Sequence, residues 1–206
     1  MRVVLWAIAL VLALVLAFTA YLVIPILTGG DKGSSGQPRV EGFPLSVEAT
    51  GDDGRTRTLS VRTEDGSALD LSSVTAGDQL VVSGSGFDAS TGIYVAVCKV
   101  PDAVDLKPGP CLGGVPDIDA EQTGAEGQVQ WAASNWINDD WAWRLFGARS
   151  FDDRDAGTFT AYLLVPESSD EFVDCVIDSC AIYTRNDHTA LDNRVQDLYL
   201  PVSFSE

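Results

Sequence analysis

Asp174-Cys175-Val176-Ile177-Asp178-Ser179-Cys180, running straight into Ala181-Ile182-Tyr183-Thr184, is the stretch on which the fold turns. Two cysteines flank a short loop, and the β-branched run behind the second one reads as a strand. The chain holds 4 cysteines in all, the other two being Cys98 and Cys111. An even count in an exported chain implies two disulfides and an oxidising compartment. None of the four forms a CxxC pair and only 1 histidine exists to join them, so neither a metal site nor a cofactor is expected. Composition alone leaves the cysteine pairing open.

Working outward, the pattern is β throughout. Leu45, Val47 and Ala49 alternate with polar residues. A turn at Gly51-Asp52-Asp53-Gly54 leads to Leu59 and Val61 alternating with Thr58, Ser60 and Arg62, which reads as a hairpin. Strands follow at Leu80 to Gly84, Ile93 to Val100, Gln128 to Trp131, Thr158 to Val165 and Leu198 to Phe204. The apolar residues of Ile93 to Val100 run nearly without interruption, so both faces of that strand should be covered. Pro201 points to an edge or a bulge in the last strand. Short strands between Gly, Asp and Pro turns predict an all-β protein, an immunoglobulin-like antiparallel sandwich.

Upstream the chain changes character. Val3 to Thr28 carries no charge and is long enough for a membrane-spanning helix. The apolar run continues past Ala20, and Phe18-Thr19-Ala20 lacks the small first residue of a cleavage site, so an uncleaved anchor is expected. Ala9, Ala13 and Ala17 repeat every fourth residue, a spacing that suits helix–helix packing in lipid. The disulfides place the C-terminal domain outside and the N-terminus in the cytoplasm. The expected organisation is an anchor over 1–28, a flexible Gly/Ser linker over 29–40, an additional hairpin over 41–71, and a sandwich over 72–206. Formal net charge is −17, and all 30 acidic residues lie beyond the apolar segment. Such a surface repels nucleic acid, which excludes that class of partner.

The order of these features resembles the neocarzinostatin family, the apoproteins of actinobacterial enediyne antibiotics. Val74-Thr75-Ala76-Gly77-Asp78 is followed by a strand and then by Gly84-Ser85-Gly86-Phe87. Cys98 lies on a strand, Cys111 lies in a Gly/Pro-rich loop, and the DCxxxxC element comes last. The resemblance covers about residues 72 to 206. It implies a seven-stranded immunoglobulin-like sandwich with two local disulfides, Cys98 with Cys111 and Cys175 with Cys180. The competing arrangement is a cross-sheet bridge from Cys98 to Cys175 or Cys180, as in true immunoglobulin domains. In the family a ligand cleft opens at one end of the sandwich. This chain departs by its anchor, its extra hairpin and a Trp-rich insert.

Two constellations are candidates for function. Trp131, Trp136, Trp141, Trp143 and Phe146 fall in one short insert. Trp141 and Trp143 would share a face if it is a strand, and the cluster would form core, a cap, an interaction surface or one wall of a ligand cleft. Arg185, Asp187, His188, Asp192 and Arg194 surround the single histidine. With no activating motif for a nucleophile nearby, they read as a structural polar network and not as a catalytic triad. The acidic turns Asp117-Ile118-Asp119, Asn138-Asp139-Asp140 and Asp152-Asp153-Arg154-Asp155 lack EF-hand spacing and read as solvated loops. The expected function is therefore non-catalytic: an accessory subunit of an envelope or respiratory membrane complex. The alternative is a cleft for a small apolar molecule or envelope lipid.

Overall fold

A computed structural model describes residues 2–28, 32–103, 106–114 and 130–205. The chain begins with helix α1, Arg2–Thr28, which is long and apolar enough to cross a membrane and has no buried residue. A signal sequence would pass the same test of length and composition.

Eight strands follow: β1 Ser46–Thr50, β2 Thr56–Thr63, β3 Gln79–Ser85, β4 Ile93–Lys99, β5 Ser134–Ile137, β6 Phe159–Leu164, β7 Cys180–Asn186 and β8 Tyr199–Val202. Among the described residues they form two four-stranded antiparallel sheets, β1-β2-β3-β6 and β5-β4-β7-β8. The fold is an immunoglobulin-like sandwich preceded by one apolar helix. The hairpin β1–β2 is built into the first sheet, because β2 pairs with β3 from Thr58↔Ser85 to Thr63↔Leu80.

The core forms where the period-2 alternation turns apolar side chains inward from both sheets. Leu59 and Val61 of β2, Leu80 and Val82 of β3, and Phe159, Ala161 and Leu163 of β6 face Ile93, Val95 and Val97 of β4, Ile182 of β7, and Leu200 and Val202 of β8. Phe87 meets Phe159 edge-on at 5.0 Å. Gly84 makes room for that contact, since a Cβ there would stand 2.1 Å from Phe159 Cε1. Arg57 also points inward and is fully buried. Its guanidinium is neutralised by both carboxylate oxygens of Asp53, at 2.9 and 2.5 Å.

Both disulfides are local: Cys98–Cys111 and Cys175–Cys180. The cross-sheet alternative is thereby overturned. β4 is buried on both faces, as its unbroken apolar run requires. β8, with Pro201, is an edge strand.

Two expectations are corrected. Residues 32–40 are not a free linker. Ser34 bridges Arg194, and the buried Gln37 side chain bonds both main-chain groups of Tyr199, accepting from its N–H and donating to its C=O, each at 2.8 Å. Gly/Ser content signalled flexibility, but one glutamine in reach of a sheet edge fixes the segment. Of the strand expected at Gln128 to Trp131, the first two residues lie outside the described residues. Trp131 itself is not in a strand, and β5 starts later, at Ser134. Asn135 is polar yet buried, its amide donating to the Tyr162 carbonyl at 3.0 Å.

Candidate functional site

The Trp-rich insert and the histidine segment, far apart in sequence, meet at one end of the sandwich. Ile93 pairs with Ile137 on one side and with Asn186 on the other, so β4 delivers the ends of β5 and β7 to the same place. Beyond β5 the chain does not continue as a strand. Asp140 accepts the N–H of Ala142 through its side chain and caps a single helical turn, α2, Trp141–Arg144. The condition under which Trp141 and Trp143 would share a face, that the segment be a strand, is not met. In a helix, positions two apart diverge, so Trp141 and Trp143 do not share a face.

Trp143 turns inward to His188, edge-on at 4.6 Å. Trp136 stands 5.3 Å from the same imidazole and 5.9 Å from Trp143. Tyr94 completes the group, its hydroxyl 3.0 Å from His188 Nδ1. Phe146 packs against Trp143 at 6.3 Å. Trp131 lies apart, edge-on to Tyr162 at 5.3 Å. Trp141 is 59% exposed and turns the other way, toward α1.

Asp187 holds this arrangement together. It is fully buried, and its carboxylate accepts four hydrogen bonds: from Trp136 Nε1 at 2.9 Å, Asn138 Nδ2 at 2.8 Å, and the Thr189 N–H and hydroxyl at 2.9 and 2.6 Å. Gly92 backs onto it so closely that a Cβ would lie 2.1 Å from Asp187 Oδ2. Burial, reinforced by the Asp187 charge, pushes the Tyr94 hydroxyl up to about 12. The hydroxyl in contact with His188 is thus held in its protonated form at neutral pH, which suits packing and not nucleophilic attack.

The remaining members of the polar network divide. Arg185 lies over the Tyr94 ring at 5.6 Å and donates to the Pro108 carbonyl, and burial lowers its basicity. Arg194 pairs with buried Asp197 at 2.9 Å, on the outer face of the second sheet. Asp192 is exposed and lines a broad groove with Lys107 and Arg194. Of the acidic turns, Asp117 and Asp119 lie outside the described residues. Asp139 accepts the N–H of Phe151, and Asp153 accepts the N–H groups of Asp155 and Ala156 in its own turn. Among the described residues no group of three or more His, Cys, Asp or Glu side chains is placed to hold a metal.

A second feature was not anticipated. The outer face of the second sheet carries its own apolar patch, with Tyr183 and Tyr199 stacked at 5.0 Å beside the Cys98–Cys111 bridge. Residues 35–39 cover it and leave a cavity of ≈ 40 Å³ whose lining includes Gln37, Tyr183, Asp197 and Tyr199. Burial pushes the Asp197 carboxyl up to about 7 against the opposing pull of Arg194. Nearby, a groove of ≈ 350 Å³ runs past Val40, Phe43, Val100, Val176, Ile177 and Pro201. The available signal was parity. Tyr183 and Tyr199 are register partners, and each alternates with an inward-facing residue.

The sequence matches no family model and no curated protein. Among solved structures it is similar to macromomycin, an apoprotein of the neocarzinostatin family. Identity is 16% and TM-score 0.38, over 71% of this chain and 99% of that one. The sandwich and its two local bridges stand on the strand pairing and the cysteine geometry described above.

Proposed function

We propose that the chain is a membrane-tethered, extracytoplasmic interaction protein without catalytic activity. In this reading α1 is a single-pass anchor with its N-terminus in the cytoplasm. The acidic sandwich serves as an accessory subunit of an envelope or respiratory membrane complex, consistent with an actinobacterial source. The observation that carries the reading is how the aromatic residues are used. Trp136 and Trp143 pack on His188, Trp141 faces α1, and the main grooves among the described residues are lined by other side chains. A carrier would direct such rings into a cavity. Half-buried His188 is bonded to the Tyr94 hydroxyl and buried Asp187 to Trp136, Asn138 and Thr189, an arrangement of packing and hydrogen bonds that supports a non-catalytic role.

One observation favours a second reading, binding of a small apolar molecule. The ≈ 350 Å³ groove beside the Cys175–Cys180 loop lies at the lower end of the range of small-molecule sites. Affinity purification of the full chain from native membranes in mild detergent separates the two. Stoichiometric recovery with a membrane protein supports the subunit reading. Recovery of the chain alone, with a co-purified apolar molecule, replaces it with the second.

A further inference from the structure

The bilayer-facing side of the sandwich can be read from how α1 meets it. Residues 2–20 of the helix are bare, whereas Leu22, Pro25 and Ile26, all on one helical face, are partly covered. The two lengths of helix meet at Tyr21. The Trp141 ring stacks on Tyr21 at 6.3 Å and 18°, and stands 6.0 Å from Phe18. The Tyr21 hydroxyl donates to the Asp140 carboxylate at the cap of α2. From Arg2 to Tyr21 the bare part rises by about 30 Å at 1.5 Å per residue, the thickness of the hydrocarbon core. Tyrosine is the residue expected at such a boundary, with its ring in the acyl region and its hydroxyl outside.

This depth fixes where the rest of α2 stands. Trp141 remains 59% exposed even with α1 against it, and Leu145 and Phe146 behind it are 70% and 45% exposed. Trp141 thus projects from the sandwich at the level of Tyr21, and exposed Leu145 and Phe146 follow within about one turn of it in the chain, with Arg144 between. We propose that α2 and its following turn are seated in the outer leaflet, with Trp141, Leu145 and Phe146 at the boundary of headgroups and acyl chains and Arg144 among the phosphates. The proposal rests on α1 being a membrane anchor. It adds that the domain does not swing on a tether but lies against the lipid by this end. The occupant is lipid because the patch is continuous with a helix whose bare surface needs lipid. Any group touching Trp141 at the height of Tyr21 lies at the membrane surface.

The described cysteines are all bonded, so one added thiol can be labelled selectively. Leu145→Cys in the full chain carries an environment-sensitive fluorophore, in nanodiscs of phosphatidylcholine containing lipid spin-labelled near the top of the acyl chain. Trp6→Cys reports on the anchor. Ile177→Cys, 84% exposed on the loop that enters β7 at the opposite end of the sandwich, serves as the aqueous control. The expected result is loss of about half the Leu145→Cys emission to the lipid quencher, with Ile177→Cys unaffected. Phe146→Cys repeats the measurement should the first variant fold poorly. An unquenched label at Leu145 with a quenched one at Trp6 keeps the anchor and overturns the seating. Labels unquenched at both overturn the anchor reading and the seating with it. A Leu145 label shielded from aqueous iodide yet unquenched by lipid identifies a protein contact there and also overturns the seating.

Discussion

Replacing Asp187 by alanine would withdraw the acceptor on which the end of the sandwich is assembled. Four donors lose their partner, and at least two of them, Trp136 Nε1 and Asn138 Nδ2, belong to side chains that are themselves buried. A hydrogen bond to a charged acceptor contributes roughly 1.5–3 kcal/mol, and a buried donor left unpaired costs about as much. Summing all four would overcount. The Thr189 hydroxyl is free to turn toward water, and the variant is relieved of a buried charge. Counting the two fixed donors gives a destabilisation of about 3–5 kcal/mol. For a domain of this size each kcal/mol shifts Tm by about 2–4 °C, so Tm should fall by about 10 °C. Asp187→Asn keeps one oxygen for two of the donors and turns an NH₂ toward the others, so about half the loss is expected. The assay is near-ultraviolet circular dichroism against temperature on the full chain in mild detergent, with tryptophan emission followed in parallel, because Trp136 and Trp143 should become wetter. A fall of under about 3 °C for the alanine variant would refute the reasoning. So would an asparagine variant as unstable as the alanine one, since the carboxylate would then not act through its hydrogen bonds.

Other expectations follow from the same structure. Gln37→Ala strips partners from the buried N–H and C=O of Tyr199; a loss of about 2 kcal/mol and new proteolytic cleavage near residues 32–40 are expected, and cleavage no faster than in the parent chain would contradict the clasp. Asp197 titrates near 7 when folded and near 4 when unfolded, so the folded state holds the extra proton between those values. Stability should fall by about 2–4 kcal/mol as pH rises from 4 to 7, and Asp197→Asn should flatten that part of a Tm-against-pH curve. Asp53, whose carboxyl is held low by Arg57, acts in the opposite sense and only as pH falls below about 4, so the two effects are separable. Removing the Cys98–Cys111 bridge by paired alanines should cost about 3 kcal/mol and removing Cys175–Cys180 about 2, because the first closes the longer loop; the reverse order in denaturant melts would contradict the chain-entropy account.

The sequence was most legible where burial imposes a period. The alternation of Leu59 and Val61, Leu80 and Val82, and Ile93, Val95 and Val97 marks the inner faces directly, and the hairpin at Gly51 to Gly54 sits where its turn residues put it. It was least legible where a single hydrogen bond outweighs composition. Nothing in Gly29 to Arg39 marks Gln37 as buried, because its partner Tyr199 is 162 residues away. The spacing of Trp141 and Trp143 left open whether they share a face, which depended on a strand; the segment is instead a helical turn capped by Asp140. The two candidate constellations could be named from sequence. Their meeting through Asp187 could not, since it depends on the register that sets Ile93 between Ile137 and Asn186.

The Gln37 clasp also bears on how copies of this chain meet one another. β8 is an open sheet edge, and along such an edge the outward main-chain groups of every second residue invite a strand from a neighbouring molecule. Tyr199 and Pro201 are the two such positions here. The glutamine occupies both groups at the first, and the second has no N–H to give. In the anchored reading proposed above, molecules confined to a surface meet edge to edge far more often than they would in free solution, and this edge is blocked by the same stretch of chain that leads back to α1.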